Sequence, residues 1–112
     1  MQTMESMYLL WRVTGDSVWR EHGWQMWEAI EAKTKTASGF TSVYGVDSPS
    51  PSHSDSQPSY FLAETVKYAY LLALDPTEDP WADGTWVFNT EAHPLPVFQW
   101  SAWEKEQFKV PT

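Results

Sequence analysis

Residues 59–74, SYFLAETVKYAYLLAL, put apolar side chains on every side of a helix, with only Glu64, Thr65 and Lys67 breaking the pattern. A surface helix carries one apolar stripe; a helix that is apolar all round has to be covered on most of its sides. Pro58, just ahead of it, suits the first turn, where a missing N–H would have had no intrahelical partner. Only two other substantial helices can be read from the 112 residues, hardly enough to surround this one. It is therefore expected to need packing partners beyond those the chain itself offers. Glu64 stands out for the same reason, since a carboxylate on a buried helix needs a partner or a task. The blander reading is an i,i+3 pair with Lys67, worth only tenths of a kcal/mol if exposed.

The two other helices come first in the chain. In residues 1–14, Met4, Met7, Tyr8 and Trp11 recur at helical spacing, and Leu9, Leu10 and Val13 widen the apolar face. Glu5 shares the side of Tyr8 and Leu9, which predicts a partly buried carboxylate. Gly15 supplies a left-handed stop and Asp16 a cap for a second helix from about Ser17 to Lys33. On that helix Trp19, Met26, Trp27 and Ile30 form one stripe. So short a turn between amphipathic helices predicts an αα-hairpin. His22 reads as a packing or surface residue, because no second ligand stands at a metal-binding spacing from it. The helical pattern starts at Met1 with no cap or lead-in. Either the first helix begins at the start codon, or the chain is a piece of a longer protein.

Beyond the hairpin the signals are shorter. Residues 40–46, FTSVYGV, alternate like a strand. Residues 47–58, DSPSPSHSDSQP, cannot bury apolar area and read as an exposed loop with His53 solvated. Asp75, Asp79 and Asp83 punctuate a turn-rich stretch without EF-hand spacing. Residues 99–112 read as a tail with at most marginal helix.

Seven basic against fifteen acidic residues give a net charge of −8, which argues against nucleic acid or an anionic membrane as partner. No apolar run approaches the roughly 20 residues that span a bilayer. The absence of cysteine removes disulfides, thiolate metal sites and cysteine nucleophiles. Eight tryptophans supply burial first, and also flat faces on which sugar rings stack. There is no glycine-rich phosphate loop, nucleophile elbow or HExxH.

The stretch richest in chemistry is Thr85–Val97, TWVFNTEAHPLPV. Trp86, Val87 and Phe88 read as a strand, Asn89-Thr90-Glu91 as a turn, and a return strand from Leu95 is limited to an edge by Pro94 and Pro96. A carboxamide, a hydroxyl and a carboxylate on three successive residues suit a hard cation or a sugar hydroxyl. Turns also favour such residues for purely conformational reasons.

Three stretches resemble one family, the class I α-1,2-mannosidases of glycoside hydrolase family 47, in its C-terminal part. Thr3–Ser6, TMES, is similar to the end of the family's RPETxES helix start. Tyr60–Leu72, YFLAETVKYAYLL, is similar to its FFLxETLKYLYLL helix, and Val87–Pro96, VFNTEAHPLP, matches its segment throughout. The resemblance covers residues 1 to about 98. It implies that the whole chain, 1–112, is the C-terminal fragment of one catalytic domain. The implied fold is mainly α, part of an (α/α) barrel of helix pairs with short β-hairpins. The implied reaction is calcium-dependent hydrolysis of α-1,2-linked mannose with inversion, on high-mannose oligosaccharides or glycoproteins. The implied place is the endoplasmic reticulum, the Golgi or the outside of the cell.

Carried over residue by residue, the resemblance makes Thr90 a Ca2+ ligand through its hydroxyl and carbonyl, and gives Glu91 the ordering of calcium-bound waters. It makes Glu5 and Glu64 substrate-binding carboxylates, and sets Tyr60 where the family usually has a stacking Phe. The position of the family's general base is held by Gln2. Inversion needs one carboxylic acid and one carboxylate, and a carboxamide accepts no proton at neutral pH. The isolated chain is therefore expected to be inactive. The alternative is a glycan-binding relative of the same fold that lacks catalysis.

Overall fold

The computed structural model describes residues 2–111, without the side chain of Gln2. Helix α1 spans Gln2–Thr14 and α2 spans Val18–Thr34. Two small hairpins follow, β1 (Lys35–Thr36) with β2 (Gly39–Phe40), and β3 (Ser42–Tyr44) with β4 (Ser52–Ser54). A π-helical segment, Phe61–Val66, runs directly into α3, Lys67–Ala73. The chain ends with β5 (Trp86–Phe88), β6 (Pro94–Pro96) and α4 (Ala102–Phe108). The described residues are thus mainly helical, with three separate two-stranded antiparallel sheets.

The expected αα-hairpin forms for the expected reasons. Gly15 takes φ 67° and its N–H donates to the Trp11 carbonyl at 2.8 Å. The Asp16 carboxylate accepts from the Val18 N–H at 3.0 Å, leaving Ser17 as the flanking residue without a side-chain cap. Met4 and Tyr8 of α1, Tyr68, Leu71 and Leu72 of α3, and Ala92 form the buried core. Met26, Trp27 and Ile30 of α2 pack against it. Gly23 lets α2 come this close: a Cβ there would sit 2.0 Å from Leu72 Cδ2. Arg20 of α2 then closes the end of α3, donating from Nε to the Leu72 carbonyl and from Nη2 to the Ala73 carbonyl, both at 3.0 Å. A cation on those last carbonyls also complements the helix dipole.

Several expectations need correction. Residues 59–74 are not one α-helix, because their first half follows the wider π ladder. The outer side of this helix is bare: Leu62 is 60% exposed and Tyr70 62%. Among the described residues, then, this helix is covered on one side and exposed on the other. The supposed loop 47–58 contains β4, whose pairing with β3 is made by backbone groups and needs no apolar side chain. His53 is exposed yet tied, its Nε2 lying 2.9 Å from the Lys33 carbonyl. The expected strand 40–46 is split, since Phe40 belongs to the β1–β2 hairpin. The tail carries a seven-residue helix with a full capping box between Ser101 and Glu104. Trp19 lies outside the core and packs edge-on against His22 instead. Among the described residues no helix is long and apolar enough to cross a membrane.

Candidate functional site

Glu5 on α1 and Glu64 on the π-helical segment converge on one phenol, that of Tyr68. Glu64 and Tyr68 are four residues apart and so share a helix face; both are buried, at 3% and 1% exposure. Glu5 is half-buried, as its place on the apolar side of α1 predicts. The Tyr68 hydroxyl interacts with the Glu5 carboxylate and lies in the field of Glu64. Burial first, and then the Glu5 charge, push this phenol above its ordinary value of 10.0. Carboxyl groups from two separate helices thus act on one phenol, and carboxyl oxygens accept hydrogen bonds. That suits sugar hydroxyls, which all carry a proton to donate. The blander alternative for Glu64, a pair with Lys67, does not form among the described residues; Lys67 is used elsewhere.

A second buried phenol lies alongside. Tyr8 donates to Asp79 Oδ2 at 2.6 Å, and burial followed by this bond raises its pKa. Asp79 is thus more than a turn residue, while Asp75 and Asp83 only hold their own turns through Thr77 and Thr85. The folded chain keeps the protons of Tyr8 and Tyr68 above pH 10, where the unfolded chain releases them. Stability is therefore expected to fall above pH 10, by about 1.4 kcal/mol per pH unit for each tyrosine. Lys67, lowered by burial, acts with the opposite sign only up to its unfolded value of 10.5. Past that point the decline is unopposed. A tyrosinate absorbance titration should show Tyr8 and Tyr68 ionising only as the folded signal is lost. Ionisation of all five tyrosines with the folded signal intact would contradict this.

The turn at residues 89–93 sits between β5 and β6, which pair Phe88 with Pro94. The Asn89 carboxamide oxygen accepts from the Glu91 and His93 N–H groups at 3.0 and 2.9 Å. It therefore shapes the turn and is not offered to a ligand, which is the conformational use that such residues commonly have. Thr90 and Glu91 are exposed. Neither oxygen of Thr90 takes part in a hydrogen bond among the described residues. For calcium, Thr90 fits in kind, with two hard oxygens on one residue, but calcium takes six to eight. No group of three or more His, Asp or Glu able to hold a metal occurs among the described residues. Water would have to complete the shell. Tyr60 stands apart, 46% exposed at the head of the π-helical segment, beside Phe61 and Phe40. Gln2 has its backbone in α1, and its side chain lies outside the described residues. A cleft of about 380 Å³ between α2 and α3, lined by Arg20, Gly23, Trp24 and Leu72 among others, includes none of these residues.

Residues 2–97 match the family model for glycosyl hydrolase family 47. The chain belongs to this family. It is 46% identical over 96 residues to human mannosyl-oligosaccharide 1,2-alpha-mannosidase IC, an overlap of 86% of this chain and 15% of that protein. It is likewise 46% identical to the Drosophila melanogaster mannosyl-oligosaccharide alpha-1,2-mannosidase IA, over 86% of this chain and 14% of that one. To the Arabidopsis thaliana mannosyl-oligosaccharide 1,2-alpha-mannosidase MNS3 it is 45% identical, over 86% and 15%. The chain spans about 15% of the length of these relatives. Within this family 47 chain the matched stretch contains Glu5, Tyr60, Glu64, Thr90 and Glu91, and stops short of α4. Sequence reasoning missed Tyr68, Asp79 and the role of Lys67. The apolar all-round pattern of residues 59–74 does mark Tyr68 as buried, but nothing local to it points to Glu5.

Proposed function

We propose that this chain is the C-terminal part of a calcium-dependent, inverting α-1,2-mannosidase that trims mannose from high-mannose N-linked glycans. The observation that carries the proposal is the convergence of Glu5 and Glu64 on buried Tyr68, in a chain of family 47. Its helix pairs and hairpins would form one sector of an (α/α) barrel, which accounts for the bare outer side of the helix at residues 61–73. Glu5 and Glu64 bind sugar hydroxyls, and Tyr60 offers a flat face to a sugar ring. Thr90 would hold Ca2+ through its hydroxyl and carbonyl, and Glu91 would order water around it. Bound there, the cation supplies a fixed charge that orients the sugar. The parent works in the endoplasmic reticulum or Golgi, or is secreted.

Alone, the chain does not turn over. The position of the base is occupied by Gln2, whose amide cannot take a proton from water. That same amide favours a second reading, a glycan-binding relative of the family without catalysis. Binding is common to both readings and can be measured on the chain. A chemical-shift titration with α-1,2-linked mannobiose is expected to move the signals of Glu5, Glu64 and Tyr68. Glu64→Gln should weaken that binding about 10-fold or more, because hydrogen bonds to a charged group contribute roughly 1.5–3 kcal/mol. Shifts confined to exposed tryptophans, unchanged in Glu64→Gln, would contradict the assignment.

A further inference from the structure

Outside Thr90 and Glu91, every oxygen of the turn at residues 89–93 is committed. Asn89 Oδ1 accepts from two N–H groups, the Asn89 carbonyl accepts from the Ala92 N–H at 3.0 Å, and the His93 carbonyl from the Asn89 N–H at 3.0 Å. The Ala92 carbonyl accepts from the Lys67 ammonium. To reach it, Lys67 crosses two aromatic rings, its Nζ lying 4.7 Å from the Trp81 centroid and 5.1 Å from that of Phe88. Both contacts are attractive for an ammonium group and confine its position. Ala92 itself is 1% exposed and left-handed, with φ 57°. A residue with a Cβ pays about 1–2 kcal/mol for that conformation, so a contact must hold it there.

We propose that Lys67 is the positioning residue of this turn: its ammonium, guided by Trp81 and Phe88, fixes the left-handed Ala92 and leaves the oxygens of Thr90 and Glu91 as the ones free to meet a ligand. The ligand part rests on the reading of Thr90 as a hard-cation donor; the positioning part does not. The rival role for Lys67 is plain electrostatics, in which an ammonium close to Thr90 weakens cation binding. The two roles predict opposite effects of removing the charge.

The test compares the isotope-labelled 112-residue chain with Lys67→Met and Lys67→Arg by nuclear magnetic resonance. Lys67→Met should abolish the left-handed signature of Ala92 and speed amide exchange of Ala92 and His93 at least about 10-fold. The amides of α1 and α2 should keep their protection, and Lys67→Arg should restore part of the loss. Calcium added to the unaltered chain should shift Thr90 and Glu91, with an apparent affinity about 10-fold weaker in Lys67→Met. Unchanged Ala92 and His93 in Lys67→Met, or tighter calcium binding there, overturns the positioning role. Absence of any calcium-dependent shift in the unaltered chain overturns the cation reading, while the exchange comparison still decides the role of Lys67. If Lys67→Met does not fold, the unaltered chain decides: the ε-methylene protons of Lys67 should be shifted upfield by Trp81 and Phe88, and ordinary shifts there overturn the proposal.

Discussion

Tyr8→Ala is expected to destabilise the folded chain by about 3–5 kcal/mol, the usual cost of emptying a large buried aromatic site. Tyr8 is fully buried and packs on Tyr68, with ring centroids 5.8 Å apart, and on Phe88 at 6.2 Å. It is thus the point where α1, α3 and β5 meet. The Arg12 guanidinium lies 5.4 Å over its ring, and its hydroxyl donates to Asp79. Removing the ring empties the centre of the small core and leaves Asp79 without this donor. Tyr8→Phe should cost much less, on the order of 1–2 kcal/mol, because only the hydrogen bond is lost. Domains are stable by only about 5–15 kcal/mol, and one with this much bare apolar surface should sit at the low end. Urea unfolding followed by far-ultraviolet circular dichroism distinguishes the two variants. Equal midpoints for Tyr8→Ala and Tyr8→Phe would mean that the ring is not the keystone of the core.

What could be read in the sequence was whatever depends on local pattern. The αα-hairpin followed from helical spacing on both sides of Gly15 and Asp16, and the last hairpin from β-prone residues ahead of a polar turn and two prolines. What was missed depends on contacts between distant residues or on backbone alone. The π ladder at residues 61–66 leaves no trace, since a stretch that is apolar all round looks the same in either helix type. Strand β4 is built from serines and a histidine that pair through their main chain, so no apolar alternation announces it. Gly23 was a readable signal: glycine inside a helix costs about 1 kcal/mol and usually marks a close approach. In the candidate site, the burial of Glu64 and the half-burial of Glu5 were legible from their places on apolar helix faces. For the Asn89 carboxamide a ligand reading and a conformational one stood side by side, and its oxygen braces its own turn. Lys67 entered only as half of an alternative helical ion pair, and its partners lie 14, 21 and 25 residues further along the chain.

The other large expected effect concerns Gln2. An inverting glycosidase activates water with a carboxylate, and general-base help contributes roughly 10²–10⁴-fold to the rate. On the proposed reading, a carboxamide at that position removes this contribution while leaving sugar binding by Glu5 and Glu64 in place. The isolated chain cannot reveal the effect, because the reaction also needs a carboxylic acid that none of the residues assigned in this chain supplies. A chimera can. In it, residues 2–97 replace the matching segment of human mannosyl-oligosaccharide 1,2-alpha-mannosidase IC, to which they are 46% identical. The measurement is the rate of mannose release from a high-mannose oligosaccharide in the presence of calcium, for the chimera as it stands and for its Gln2→Glu form. If the segment is one wall of a mannosidase site that lacks only its base, the first is nearly silent and the second about 10²–10⁴-fold faster. Equal rates in the two forms, or silence in a Gln2→Glu chimera that folds and binds the glycan, would contradict it.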